Sequence, residues 1–148
     1  MGYVQANLMP NEQIVATGRI HWWAYISGIS FTIIGLLLAA ATGPLGAFFL
    51  VVGVVLLVKA WIHSFSTELV VTNKRVIAKF GFIKRSTTEL LHSKVESFNV
   101  DQGIMGRILN FGTVIVNGTG GAHTPIPHIA APLEFRRLAL STIEGEKG

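Results

Sequence analysis

The densest group of charged side chains follows residue 73 and is almost entirely basic. Residues 74–94 hold six cations and one acid, Glu89. Such a group can bind the phosphates of lipid headgroups, and near an anionic leaflet each cation contributes about 1 kcal/mol. A solvated strand face without a ligand is the competing interpretation. The candidate lipid contacts are Lys74, Arg75, Lys79, Lys84 and Arg85.

Other residue types that perform chemistry lack a supporting pattern. The five histidines do not have metal-ligand spacing, and His123 and His128 would lie on opposite faces of a strand. The chain has no cysteine, which excludes a disulfide framework and a thiolate metal site. The segment after residue 63 carries ten cations and seven acids without interleaved aromatics, which disfavours nucleic acid. We therefore expect no enzyme activity, no metal and no cofactor.

Two apolar runs precede this segment. Residues 22–58, 37 in all, contain no charged residue and no histidine. As helices, residues 22–42 would be roughly 31 Å long and residues 45–62 roughly 27 Å, and a hydrocarbon core is about 30 Å thick. A cleaved signal peptide would be shorter, and a soluble core helix pair would carry charge. With a turn at 43–44, residues 21–63 are predicted to form a transmembrane hairpin after a lead-in of residues 1–20.

The ends of the runs carry the residues that membrane interfaces favour. The predicted interface anchors are Trp22, Trp23, Tyr25, Lys59 and Trp61. The turn has no Lys or Arg, whereas the flanks carry all twelve. The positive-inside rule therefore places both termini in the cytoplasm, and we expect a multi-pass protein of the bacterial inner membrane with lipids as partners.

Small residues recur every seven positions in both runs. They let helix backbones approach closely in lipid, although Gly and Ala are also simply common in membrane helices. The residues predicted to pack the hairpin are Gly28, Gly35, Gly46, Gly53 and Ala60. A fold at Pro44 would pair Gly28 with Ala60, Gly35 with Gly53, and Thr42 with Gly46.

Residues 64–148 have the pattern of a β-rich cytoplasmic domain with a last helix at about 132–144. Strands are predicted at 69–72, 75–80, 86–91, 95–100, 112–117 and 122–129. In the fourth strand, strict alternation would place Val95, Ser97 and Asn99 on one face. Prolines 125 and 127 confine the last strand to an edge. Short meandering strands and one helix indicate a small barrel or sandwich closed by that helix.

Several motifs in order resemble the bacterial membrane-anchored pleckstrin-homology-like (PH-like) domains. They are VTNKRVI (71–77), GFIKR (81–85), LLHSKVES (90–97) and GRILNFGTV (106–114), preceded by the lead-in NLMPNEQIVATGRIHWW (7–23). The resemblance implies a seven-stranded bent barrel plugged by the C-terminal helix, after a two-helix membrane hairpin. It also implies that Lys79, Lys84 and Arg85 are placed to hold a phosphorylated headgroup.

The expected function is therefore non-enzymatic. We expect a membrane-tethered binding or scaffolding module that self-associates as a homo-oligomer or recruits an unidentified protein partner through an exposed sheet edge. The alternative is a sensor of anionic lipid headgroups through the basic residues between Lys74 and Lys94. A subunit of a transporter or enzyme is a third class, and it would require other chains.

Overall fold

The structure is a computed structural model that describes residues 3–81 and 86–147. The chain divides into two compact units. The first, which we call the β unit, joins Met1–His21 to Thr67–Gly148. The second, the helical unit, is Trp22–Ser66. The lead-in therefore belongs to the same unit as the residues after the apolar runs.

The predicted apolar helices, strands and last helix occur in the predicted order, and the lead-in adds a short helix and a strand. Residues 3–66 form α1 (Tyr3–Ala6), β1 (Ile14–Gly18), a 3-10 turn (Trp22–Tyr25), α2 (Ile26–Thr42) and α3 (Pro44–Ser66). The later elements are β2 (Glu68–Thr72), β3 (Arg75–Phe80), β4 (Ser86–Leu91), β5 (Val95–Asp101), α4 (Ile104–Leu109), β6 (Phe111–Gly118), β7 (Ala122–Ala130) and α5 (Pro132–Lys147).

Two antiparallel sheets form the β unit. Their strand orders are β1-β2-β3-β4 and β5-β6-β7. The described residues thus contain the seven strands that the resemblance implies, with the seventh supplied by the lead-in. A bridge from Ile20 to Ile129 and a hydrogen bond from the Ala130 amide to the Arg19 carbonyl tie the segment after β1 to β7.

The two sheets and α5 share one apolar core. In β6 every second residue is buried, among them Val114 and Val116, as expected for a strand with one face on a core. Helix α5 adds a buried stripe at a spacing of four residues, Phe135, Ala139 and Ile143. The strict alternation predicted for β5 is wrong, because a register shift between Val95 and Ser97 buries Phe98 with Val95.

Helices α2 and α3 are each long and apolar enough to cross a membrane. The spans are Trp22–Ala41, with mean hydropathy 1.9, and Pro44–Ser66, with mean hydropathy 2.5. Only 11% of each is buried inside the structure, so the apolar surface faces outward instead of forming a soluble core. The turn is Gly43 alone, at φ 56°, because Pro44 is accepted as the first residue of α3.

The helices pack closely at glycines, but the predicted pairs are wrong. A Cβ built on Gly28 would lie 2.8 Å from Leu57, and one on Gly35 would lie 2.6 Å from the backbone nitrogen of Leu50. Gly53 meets Thr32 and Gly46 meets Ala39 in the same way. Every contact is displaced by three residues from the predicted one. Each glycine therefore accommodates a larger residue of the other helix.

Candidate functional site

The basic candidates lie at opposite ends of the first sheet. Strand β2 begins at Glu68, two residues after the helical unit, and Glu68 pairs with Lys79 on β3. Thr72 ends β2, and four strand residues span about 13 Å. Lys74 in the turn and Arg75 at the start of β3 are therefore at the end of the sheet opposite to Glu68 and Lys79. Lys84 and Arg85 lie outside the described residues.

The prediction of Arg75 as a lipid contact is wrong, because its side chain is buried and paired inside the fold. Its side chain is 7% exposed and its guanidinium meets two carboxylates. Nε donates to Glu12 Oε1 at 2.9 Å and Nη2 donates to Glu12 Oε2 at 3.0 Å. Nη1 donates to Glu89 Oε2 at 2.5 Å, and Nη2 also donates to the Asn7 carbonyl at 3.0 Å. This bidentate arrangement uses the guanidinium inside the fold.

Glu12 is the buried partner of Arg75 in this network. Its side chain is 0% exposed, and its oxygens also accept hydrogen bonds from the Thr72 hydroxyl at 2.8 Å and the Met9 amide at 2.6 Å. Burial raises the Glu12 pKa, but hydrogen bonds from Arg75, the Met9 N–H and Thr72 outweigh it and hold that pKa at about 2. The hydrogen bond to Glu12 raises the Arg75 pKa against the opposing effect of burial. Both groups are therefore charged at neutral pH.

The neighbours of Arg75 hold the same stretch of the lead-in. Asn73 accepts a hydrogen bond from the Gln13 amide at 2.9 Å and donates one to the Asn11 carbonyl at 3.1 Å. The Lys74 ammonium donates to the Pro10 carbonyl at 2.8 Å. We call this set, residues 72–75 with residues 9–13, the lead-in clamp. The TNKR part of the VTNKRVI motif, Lys74 included, thus has a structural role in holding the lead-in against the first sheet.

Sequence reasoning missed Glu12. It is the only acidic residue before the apolar runs, which is the one signal that could have drawn attention to it. Its partner Arg75 is 63 residues away, and a charge pattern within one segment does not reveal a contact across that separation. Glu89, the only acid among the cations of residues 74–94, is the second carboxylate on Arg75.

Lys79 differs from the clamp cations in its position. It is half-buried on β3, opposite Glu68 on one side and Thr87 on β4 on the other. Among the candidate lipid contacts that the structure describes, Lys79 alone lies at the end of the sheet that follows the helical unit in the chain. Strands β3 and β4, which flank residues 82–85, also meet at this end through Phe80 and Ser86.

The predicted interface anchors lie at one end of the helical hairpin. Trp22, Trp23 and Tyr25 form the 3-10 turn, which packs against α3. The Trp22 and Trp23 rings meet edge to face at 5.9 Å. Trp61 is 59% exposed and stacks on Phe65 at 5.8 Å, and Lys59 is exposed. Aromatic and basic groups at one end are the arrangement that a headgroup layer favours.

A concave region lies at the ends of β5, β6 and β7. It is an open cleft of about 370 Å³, with Asp101, Phe111, Thr113 and His128 among its lining residues. The Phe111 ring stacks on His21 at 5.2 Å and on His128 at 6.3 Å. Within residues 3–81 and 86–147, no three His, Cys, Asp or Glu side chains are grouped so that they could hold a metal ion.

A family model described as a bacterial PH domain matches residues 24–141. This chain belongs to the bacterial PH domain family. No curated protein and no solved structure matches it.

The extent of the bacterial PH domain match is informative. It begins inside the 3-10 turn and ends in α5, so it includes the helical hairpin and the strands β2 to β7. It therefore starts after β1 and Glu12, although the structure places both in the same unit as the matched strands. PH-like domains are generally binding modules without catalytic activity, and membership in this family indicates a binding or scaffolding role.

Proposed function

We propose that this bacterial PH domain is a non-enzymatic, membrane-tethered scaffold that binds a second copy of itself or another protein at the inner face of the cytoplasmic membrane. In this proposal the two sheets and α5 form the bent barrel of the PH fold. The observation that carries the proposal is the edge of the first sheet. Strand β4 pairs with β3 on one side, and among the described strands none pairs with its other side.

An unpaired strand edge is a template for another strand. The backbone N–H and C=O groups along it can pair with a peptide in extended conformation, or with the same strand of a second copy. Ser86, Thr87 and Leu91 on β4 are exposed, so a partner strand would reach the edge without displacing a core residue. The Glu89 contact to Arg75 holds this strand to the clamp.

Membrane tethering makes such an edge effective. Both ends of the helical unit lead into the β unit, at residues 21–22 and 66–67. If the hairpin spans the bilayer, the β unit of every copy lies on the same side, and the Lys and Arg distribution supports the cytoplasmic side. Copies confined to one membrane meet at high effective concentration, so a weak strand-to-strand contact suffices for assembly.

The second candidate function is recognition of anionic lipid headgroups. The position of Lys79 favours it, since Lys79 lies opposite Glu68, the second residue after the helical unit. We propose Lys79, Lys84 and Arg85 as the contacts. Lys74 and Arg75 are left out because the lead-in clamp binds both side chains.

The test uses the full chain in lipid nanodiscs and in mild detergent. Native mass spectrometry is expected to show a homo-oligomer or a stoichiometric second protein. The chain has no cysteine, so single-cysteine variants report contacts cleanly. Thr87→Cys on the β4 edge is expected to form a disulfide between copies, whereas Thr119→Cys, exposed in the turn after β6, serves as the matched control.

The outcomes separate the two functions. A monomer that carries a defined anionic lipid, and loses it when Lys79, Lys84 and Arg85 become Ser, would favour lipid recognition. A monomer without lipid and without a partner protein would contradict both. Equal cross-linking at Thr87→Cys and Thr119→Cys would show random collision and would remove the β4 edge from the proposal.

A further inference from the structure

Helix α4 presents apolar side chains to the outside of the β unit. Ile104 is 81% exposed and Ile108 is 69% exposed, and Met105 beside them is 46% exposed. Among the described residues of the β unit, the two isoleucines are the most exposed large apolar side chains. Their spacing of four residues places them on one face of α4. A patch of this kind on a domain surface marks an interaction site.

The fold holds α4 in a fixed position. The Gln102 side-chain amide donates hydrogen bonds to the Gly106 carbonyl at 3.2 Å and to the Phe111 carbonyl at 3.0 Å. A Cβ on Gly106 would lie 2.5 Å from the Phe111 carbonyl oxygen, so the glycine allows α4 to approach β6 closely. The apolar side chains are therefore presented by an ordered turn.

This turn lies beside the point where the chain enters the hairpin. Phe111, whose ring stacks on His21 at 5.2 Å, is three residues after Ile108, and three residues span at most about 11 Å. The His21 amide also donates to the His128 carbonyl at 2.6 Å, which fixes His21 against β7. His21 is the last residue of the β unit before Trp22. The α4 patch is therefore close to His21, the residue after which the chain leaves the β unit for the helical unit.

Basic residues accompany the patch. Arg107 is exposed on α4 itself, and Arg19 is exposed two residues before His21. Leu133, 52% exposed, follows Ala131, whose amide donates to the Asn110 carbonyl directly after α4. Apolar side chains flanked by arginines match the boundary between acyl chains and anionic headgroups.

We propose that Ile104, Met105 and Ile108 insert into the headgroup region of the leaflet that the hairpin enters, with Arg107 and Arg19 on anionic headgroups. In this proposal the α4 patch is a membrane contact of the β unit itself, in addition to the hairpin. The occupant is lipid, because the patch adjoins the segment that leads into the hairpin and because Arg107 is exposed on the same short helix as the isoleucines. This inference rests on the proposed membrane anchorage.

The test places a polarity-sensitive fluorophore on single cysteines in the full chain, reconstituted in vesicles of phosphatidylethanolamine and phosphatidylglycerol. Ile104→Cys and Ile108→Cys report on α4. Leu91→Cys, 55% exposed and paired with Arg75 at the clamp end, is the control within the β unit. Ile33→Cys in α2 reports separately on insertion of the hairpin. Lipids spin-labelled near the headgroup or deep in the acyl chain act as quenchers.

The expected result is quenching of both α4 labels by headgroup-labelled lipid, none at Leu91→Cys, and quenching of Ile33→Cys by deep labels. If Ile33→Cys is quenched and the α4 labels are not, the inference fails while the anchorage stands. If Ile33→Cys is not quenched, the anchorage itself fails. A blue shift of the α4 labels without quenching would show that protein covers the patch, which also overturns the inference.

Discussion

The lead-in clamp makes a quantitative prediction about the pair Glu12 and Arg75. In Arg75→Met the Glu12 carboxylate stays buried at 0% side-chain exposure and loses two hydrogen bonds and its opposing charge. Removal of one partner from a buried ion pair costs about 3–5 kcal/mol. Arg75→Met should therefore lower the free energy of unfolding of the β unit by that amount at neutral pH. Lys79→Met, on the same strand and half-buried, should cost less than about 1 kcal/mol.

Hydrogen exchange of the β2 and β3 amides in the full chain measures this loss without requiring the helical unit to unfold. A loss of 3–5 kcal/mol raises exchange through unfolding roughly 100-fold to 1,000-fold or more. The double variant Glu12→Leu with Arg75→Met should recover much of the loss, because apolar replacement of a complete buried pair is often nearly neutral. Similar small effects of Arg75→Met and Lys79→Met, or a double variant worse than the sum of the single ones, would refute the reasoning.

The same pair predicts an acid dependence. The Glu12 pKa is about 2 in the folded chain against 4.5 for the ordinary group, so the unfolded chain binds the proton first as the pH falls. The contribution of Glu12 to stability is complete above about pH 4.5 and is lost as the pH falls toward 2, by about 3 kcal/mol in all. In Glu12→Gln this part of the acid dependence should vanish. An unchanged acid dependence in that variant would show that other groups cause it.

Three further predictions concern the hairpin and the clamp. Gly35→Val should prevent α2 and α3 from packing together, because a Cβ at this position would lie 2.6 Å from the Leu50 nitrogen. Distance measurements between spin labels on the two helices should show a larger separation. Leu36→Val, on the exposed face of α2, is the control and should leave the distance unchanged. Asn73→Ala removes two side-chain hydrogen bonds to the lead-in and should lower the free energy of unfolding of β1 by about 1–2 kcal/mol. Faster hydrogen exchange of the β1 amides measures this loss. Unchanged exchange in β1 would show that Asn73 does not hold the lead-in. Deletion of residues 1–13 removes Glu12 and should speed hydrogen exchange in β2 and β3 at least as much as Glu12→Leu alone. Exchange that is equal to or slower than in the intact chain would contradict the role of the lead-in.

Local patterns in the sequence predicted most of the elements. The 37 residues without charge predicted two apolar helices, and the alternation in residues 75–80 and 86–91 predicted β3 and β4 at their observed bounds. Both signals depend only on side chains a few positions apart, so they are present in one segment read alone. The bulge in β5 was missed because it depends on how β6 pairs with it.

The pairing of residues between the two helices of the hairpin could not be predicted from such local patterns. Four of the recurring small residues, Gly28, Gly35, Gly46 and Gly53, lie where the helices approach closely, but a symmetric match of small with small predicted the wrong pairs. Close packing instead seats Leu57 against Gly28 and Leu50 against Gly35, because a larger side chain fills the space that a glycine leaves.

Residues close together in the chain are enough to predict the apolar hairpin, the strands after it and the family resemblance. The distinction between surface and structural basic residues depends instead on contacts between distant segments. Arg75 and Lys79 are four positions apart on β3 and have the same charge. Arg75 meets Glu12 from the lead-in, 63 residues away, and is buried, whereas Lys79 stays at the other end of the sheet. A cation is buried only where the fold brings a carboxylate to it, and that contact exists only after the chain has folded.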